Sequence, residues 1–266
     1  IFIGAMLHLI FKHPGEAAAG GRQRFGLGSA IPADIHGPFS ERFNVELREG
    51  YGMTELYSMT VQRHGHCTPG NVGLESPAVE LRVVDGHDQP VPDGTTGELV
   101  ARPRWPHVHM LGYWGRPEAT VEAWRGLWFH TGDLMRRLPD GSFQYVGRLK
   151  DSIRRRGENV SAWEVERAAT KHDQVLEAAA IGVPAEVGDE DVALFIVPTP
   201  GHAVDAAALR AAMAQDLPRY ALPRFIDVVA SLPKTPSERV AKAVLKQVGL
   251  SSAVLDLESA RTATVQ

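Results

Sequence analysis

Two short segments near the middle of this chain pair a glycine with an ionised side chain. Thr131-Gly132-Asp133 offers a carboxylate on a turn, and Gly147-Arg148 offers a guanidinium on another. Lys150 and a basic, glycine-interrupted run, Arg154-Arg155-Arg156-Gly157-Glu158-Asn159, follow directly. An acid and a guanidinium on separate turns, with a candidate pivot behind them, suit a pocket that holds a ribose between two mobile parts. Upstream, Tyr51-Gly52-Met53-Thr54-Glu55 reads as a turn after a strand. It can present an aromatic face, a hydroxyl and a carboxylate at one edge of a sheet, where α/β folds bind their ligands. Downstream, Leu232-Pro233-Lys234-Thr235-Pro236 leads to Arg239 and Lys242.

These residues need a scaffold, and the composition supplies one. A chain of 266 residues with 44% apolar and 23% charged residues can bury a full core as one large domain or two ordinary ones. Its net charge of -4 gives no case for nucleic acid, which needs a concentrated basic face. The single cysteine, Cys67, excludes an internal disulfide, fits a reducing compartment such as the cytoplasm, and reads as a bystander. No apolar run approaches the roughly 20 residues that cross a bilayer. The apolar opening, 1–12, reads as a buried helix, and a start at Ile1 in place of Met suggests a fragment.

The remaining elements follow from local pattern. Residues 24–30 form a predicted strand ending in the small residues Gly28-Ser29-Ala30, which allow close backbone approach. Pro32-Ala33-Asp34 opens a helix to about Arg42, and Val45-Glu46-Leu47 is a strand. From about 70 to 147, short alternating runs (79–84, 98–101) and Asp-Gly turns predict an antiparallel β region, with a barrel as one form it can take. Beyond Lys150, Ser161-Ala162-Trp163-Glu164 is a capping box for a helix to about His172. Apolar strands at 175–183, 192–197 and 225–229 flank a helix over 205–217. The expectation is α/β and α+β: a first part, 1–149, and a small α+β domain, 150–266.

In this order, the motifs resemble the adenylate-forming superfamily, which includes acyl-CoA synthetases, firefly luciferase and the adenylation domains of peptide synthetases. The resemblance covers the back half of such an enzyme, the C-terminal part of its large AMP-binding domain and the mobile C-terminal domain. Texture around Trp105-Pro106-His107 and 112–120 is most similar to the crotonobetaine/carnitine-CoA ligase-like branch. The resemblance implies that Tyr51 and Gly52 lie on adenine, beside Gly28, Ser29 and Ala30. Thr54 would touch the nucleotide phosphate, and Glu55 would help hold Mg²⁺. Asp133 becomes the ribose ligand, Arg148 its partner from the ribose or phosphate side, and Lys150 the hinge. Gly157, Glu158 and Asn159 would line the pantetheine tunnel, with Arg154 to Arg156 available to the CoA phosphates.

Two departures accompany the resemblance. Where the family's Pro-Lys-Thr-x-x-Gly-Lys ends in glycine and a catalytic lysine, this chain has Glu238 and Arg239, with Lys242 three residues on. Arginine keeps the charge but is planar and longer, so adenylation is affected more than thioester formation. The Ser/Thr/Gly-rich loop that wraps the ATP phosphates has no counterpart in the fifty residues before Tyr51. The implied parent is an ATP-dependent ligase for a small carboxylate, ATP and CoA, with this polypeptide inactive alone. A peptide-synthetase adenylation domain and a catalytically inert binding module are the alternatives.

Overall fold

The computed structural model describes residues 2–13, 15, 22, 24–29, 31, 33–186, 189–235 and 239–258; Ala30, Pro32 and Glu238 lie outside them. The chain divides into two compact units, Ile1–Val146 and Gly147–Gln266.

The first unit opens with β1 (Phe2–Ile3), α1 (Gly4–Lys12), β2 (Arg24–Ser29), α2 (Ala33–Phe43) and β3 (Val45–Met53). Strands β1, β2 and β3 are parallel neighbours. Leu47 of β3 is buried with Leu7 of α1 and Ile35 and Phe39 of α2, so the helices cover one face of this parallel part. The chain then turns back through β4 (Tyr57–Val61) and β5 (Asn71–Glu75), both antiparallel additions. Strands β6 (Val79–Val84), β7 (Thr96–Pro103), β8 (Phe129–Arg137) and β9 (Phe143–Arg148) follow, with the short α3 (Pro117–Ala123) before β8. All nine strands form one sheet in the order β1-β2-β3-β4-β5-β9-β8-β7-β6. The expected antiparallel region is therefore continuous with the parallel strands, and β1 and β6 remain its ends where a barrel would have joined them.

Tyr51-Gly52-Met53 is the end of β3 and not a turn; the turn is Thr54–Leu56, pinned by Leu56, which is buried and donates its amide to Met53 O at 3.2 Å. Strand pairing extends this far because Gly52 lies hard against β4. A Cβ on Gly52 would sit 2.0 Å from the Tyr57 carbonyl oxygen, so only glycine permits the approach.

The second unit begins with the hairpin β10 (Ser152–Arg155) and β11 (Glu158–Ser161), then α4 (Ala162–Thr170). The hairpin replaces the expected loop; Arg156 and Gly157 form its two-residue turn, both with positive φ. Ser161 is the N-cap of α4, its side chain accepting from Glu164 N at 3.2 Å, as the capping box requires. Strands β12 (Val175–Pro184) and β13 (Glu190–Pro198), helix α5 (Ala206–Met213), β14 (Phe225–Val228), α6 (Lys242–Val248) and β15 (Leu255–Asp256) complete it. The sheet order is β12-β13-β14-β15. Helix α5 stops four residues short of the expected Leu217, in a turn closed by Leu217 N on Met213 O.

The apolar run of β13 shows why this unit is layered. Val192, Leu194 and Ile196 join one buried cluster with α4, α5 and the hairpin, while Ala193, Phe195 and Val197 join another with Leu232 and Leu245 of α6. A strand buried on both faces has no reason to alternate polar residues.

Candidate nucleotide site

Side chains of β3 and β8 meet although β4, β5 and β9 lie between these two strands in the sheet order. The Tyr51 hydroxyl donates to Asp133 Oδ2 at 2.6 Å. Asp133 is buried, and its side chain faces the tyrosine from within β8. Burial pushes the Tyr51 hydroxyl far above its ordinary value, and the negative charge of Asp133 pushes the same way, so the phenol is a fixed donor. Tyr145 flanks the Tyr51 ring at 6.4 Å between centroids.

Thr131-Gly132-Asp133 is a bulge within β8 and not a free turn. The β7–β8 ladder pairs Val100 with His130 and Glu98 with Leu134, so Leu99 alone opposes three residues. Gly132 takes φ 67°, the left-handed region. Thr131 Oγ1 donates to Leu99 O at 2.7 Å and accepts from Asp133 N at 3.1 Å, which fixes where the Asp133 backbone lies.

Thr54 and Glu55 occupy the turn between β3 and β4. Thr54 is exposed, and Glu55 Oε1 accepts from the Tyr113 hydroxyl at 3.0 Å while its carbonyl accepts from Met110 N at 2.7 Å. Burial raises the Tyr113 hydroxyl, with Glu55 adding to the effect. Among the described residues no group of three or more His, Cys, Asp and Glu side chains could hold a metal. A lone carboxylate still fits Mg²⁺, which commonly takes one or two protein carboxylates and completes its shell with water and nucleotide phosphates. Gly28 pairs with Glu49, two residues before Tyr51, so the end of β2 adjoins the site; Ala30 lies outside the described residues. Glu49 is a further participant that sequence pattern did not single out: its Oε1 accepts from Ile31 N at 3.1 Å and holds the chain just past β2.

In the second unit, Arg148 ends β9 and Lys150 lies exposed in a single 3-10 turn, 149–151, leading into β10. Gly157, Glu158 and Asn159 sit at the exposed hairpin tip, where Arg154 Nη1 donates to Asn159 Oδ1 at 2.9 Å. Arg155 contradicts its expected place in a solvated phosphate-binding turn. It is 1% exposed, and its guanidinium binds Asp191 at 3.0 Å, Leu222 O at 2.7 Å and Glu258 at 3.0 Å. Strand alternation turns it into the core, where Asp191 and the C-terminal segment neutralise it.

Arg239 and Lys242 lie on the segment entering α6. Thr235 and Arg239 close a small loop, Thr235 N donating to Arg239 O at 2.7 Å, with Arg239 exposed. Lys242 instead pairs with Glu166 Oε1 at 2.6 Å, round the β12 edge, where the same oxygen accepts from Ala180 N at 2.8 Å. Burial holds the Glu166 carboxyl above the usual carboxylate range, and Lys242 opposes that shift.

The sequence patterns of two domains match this chain: AMP-binding enzyme over residues 2–114 and AMP-binding enzyme C-terminal domain over residues 164–239. The chain belongs to the adenylate-forming superfamily of AMP-binding enzymes. It is 35% identical over 237 residues to a sulfoacetate–CoA ligase of Cupriavidus necator, covering 88% of this chain and 46% of that protein. A crotonobetaine/carnitine–CoA ligase of Proteus mirabilis is 32% identical over 207 residues, covering 77% and 40%. Among solved structures, ATP-bound MatB from Rhodopseudomonas palustris superposes with a TM-score of 0.81 at 28% identity, covering 92% of this chain and 50% of MatB. The chain thus spans about half the length of the relatives it matches, and the mixed α/β architecture is theirs. Among the described residues no helix is long and apolar enough to cross a membrane.

Proposed function

We propose that this chain carries the nucleotide-handling and CoA-handling parts of an AMP-forming acid–thiol ligase. In the complete reaction a carboxylate attacks the α-phosphate of ATP, giving acyl-AMP and pyrophosphate; CoA then displaces AMP to give the thioester. The observation that carries this reading is the 2.6 Å contact between Tyr51 and Asp133. It joins a ring suited to stack on a base to a carboxylate suited to accept from ribose hydroxyls, in one rigid pair.

The other residues take roles around that pair. Gly28, Ser29 and Gly52 keep backbone close to the base, and Thr54 donates to a phosphate. Glu55, oriented by Tyr113, would hold Mg²⁺, which supplies charge neutralisation at the phosphates when bound. Arg148, at the end of β9, is the proposed second ligand of the ribose or phosphate region. Arg239 neutralises the charge that develops as the carboxylate attacks, a role favoured by its exposure and by the engagement of Lys242 with Glu166.

Lys150 is the proposed swivel, with the domains meeting at 149/150. The hairpin packs with the α4–α5 layer and the Arg239 loop leads into α6 on the opposite layer. A domain with working residues on two faces suits a two-step reaction in which each face is presented in turn. Gly157, Glu158 and Asn159 would meet pantetheine in the second step. The single cysteine, half-buried, accords with a cytoplasmic setting.

Arg239 and the tied Lys242 also favour a second reading, a binding module with impaired adenylation. A hybrid tests both. With this chain in place of the aligned part of the sulfoacetate–CoA ligase, sulfoacetate-dependent ATP–pyrophosphate exchange and thioester formation are expected. AMP binding without exchange would favour the inert module, and no nucleotide binding would remove both.

A further inference from the structure

Glu98 is a buried carboxylate on β7, only 7% exposed, a costly place for an acid unless its oxygens are used. Both are. Oε1 accepts from Gly132 N at 3.0 Å, and Oε2 lies 2.9 Å from His130 Nδ1 and accepts from Arg125 Nη2 at 3.2 Å. The bulge explains the arrangement. With Leu99 opposing Thr131, Gly132 and Asp133, the ladder cannot supply an acceptor to every amide of the three. Glu98, one residue before Leu99, turns its carboxylate to the Gly132 amide in place of the missing carbonyl, while Thr131 Oγ1 serves the Asp133 amide.

We infer that Glu98 is a positioning residue for nucleotide recognition: by holding the Gly132 amide and the His130 ring, it sets the Asp133 carboxylate toward the ribose hydroxyls and the Tyr51 hydroxyl. The inference rests on the reading of Asp133 as the ribose ligand. A hydrogen bond to a charged group inside a bulge has a specific consequence. Losing it lets the bulge relax, so the part of the affinity that depends on the ribose hydroxyls falls while base stacking survives.

The test compares AMP with 2′,3′-dideoxy-AMP by calorimetric titration of the full chain, as wild type, Glu98→Ala and Glu98→Gln. Wild type should prefer AMP. Glu98→Ala should cut that preference by about 10-fold or more, the size of one charged hydrogen bond. Glu98→Gln, which keeps an acceptor for Gly132, should retain most of it. An unchanged AMP preference in Glu98→Ala overturns the inference, even if both affinities fall together, because a merely structural role would lower both alike. Glu98→Gln as poor as Glu98→Ala overturns the amide-acceptor role. A wild type that binds AMP without preference overturns the ribose reading of Asp133, and no AMP binding overturns the site; both are seen before any substitution. Should Glu98→Ala fail to fold, amide exchange at Gly132 in wild type decides: strong protection is expected, and exchange at the unprotected rate overturns the inference.

Discussion

Tyr51 and Asp133, 82 residues apart in sequence, meet through a 2.6 Å hydrogen bond from phenol to carboxylate. The bond fixes the tilt of the ring and the direction of the acid at once, so neither has to be ordered separately when a nucleotide arrives. A double-mutant cycle on AMP binding, with Tyr51→Phe and Asp133→Asn, should therefore be non-additive. A coupling of about 1.5–3 kcal/mol is expected for a hydrogen bond to a charged group. Additive losses would mean that the two residues act independently.

Alkaline pH should probe the same contact. The folded-state pKa of the Tyr51 hydroxyl is raised, chiefly by burial and then by Asp133. The folded state therefore keeps a proton that the unfolded state gives up near pH 10, the ordinary tyrosine value. The resulting stability is fully present below about pH 10 and is lost as pH rises beyond it. Chemical denaturation between pH 9 and 11 should show wild type losing more stability than Tyr51→Phe. Parallel curves would argue against a buried, proton-holding phenol.

Gly132 tests the bulge. Its φ of 67° lies in the left-handed region, and a Cβ there would meet no atom within 4 Å. Any cost of Gly132→Ala is thus conformational, about 1–2 kcal/mol, read as a lower thermal midpoint for the first unit. A neutral substitution would show that the backbone can relax without glycine.

Arg155 and Arg156 are neighbours with opposite fates. Arg155→Ala leaves Asp191 and Glu258 short of a buried partner and should cost about 3–5 kcal/mol of stability in the second unit. Arg156, 66% exposed and paired with Glu258 at 3.3 Å, should cost less than about 1 kcal/mol on truncation. Denaturant titration of the two variants distinguishes them, and equal effects would contradict the burial of Arg155.

That contrast marks where sequence is legible and where it is not. The strands 175–184 and 190–198 and the Ser161 cap follow from short-range pattern, because an apolar run and the N-cap bond involve residues close in the chain. The Tyr51 and Asp133 segments were readable as motifs, though not as a strand end and a bulge. Arg155 reads as solvated because its partners lie far away, Asp191 by 36 residues and Glu258 by 103. Helix α6 is short and its N-cap, Ala241, makes no side-chain bond, while the two-residue β15 is held by its Phe225–Asp256 pairing and by Arg224 on Asp256 at 2.8 Å. Glu98 reads as the polar member of an alternating strand. Only the bulge opposite gives its carboxylate a purpose.

The most direct measurement is an NMR titration of the full chain, carbon-13-labelled in its tyrosine rings, with AMP. The Tyr51 signals, assigned with Tyr51→Phe, should shift as the ring meets adenine, and Asp133→Asn should weaken the titration about 10-fold or more. Tyr51 signals that stay still under AMP, or an Asp133→Asn variant that titrates like wild type, would contradict a shared adenosine site.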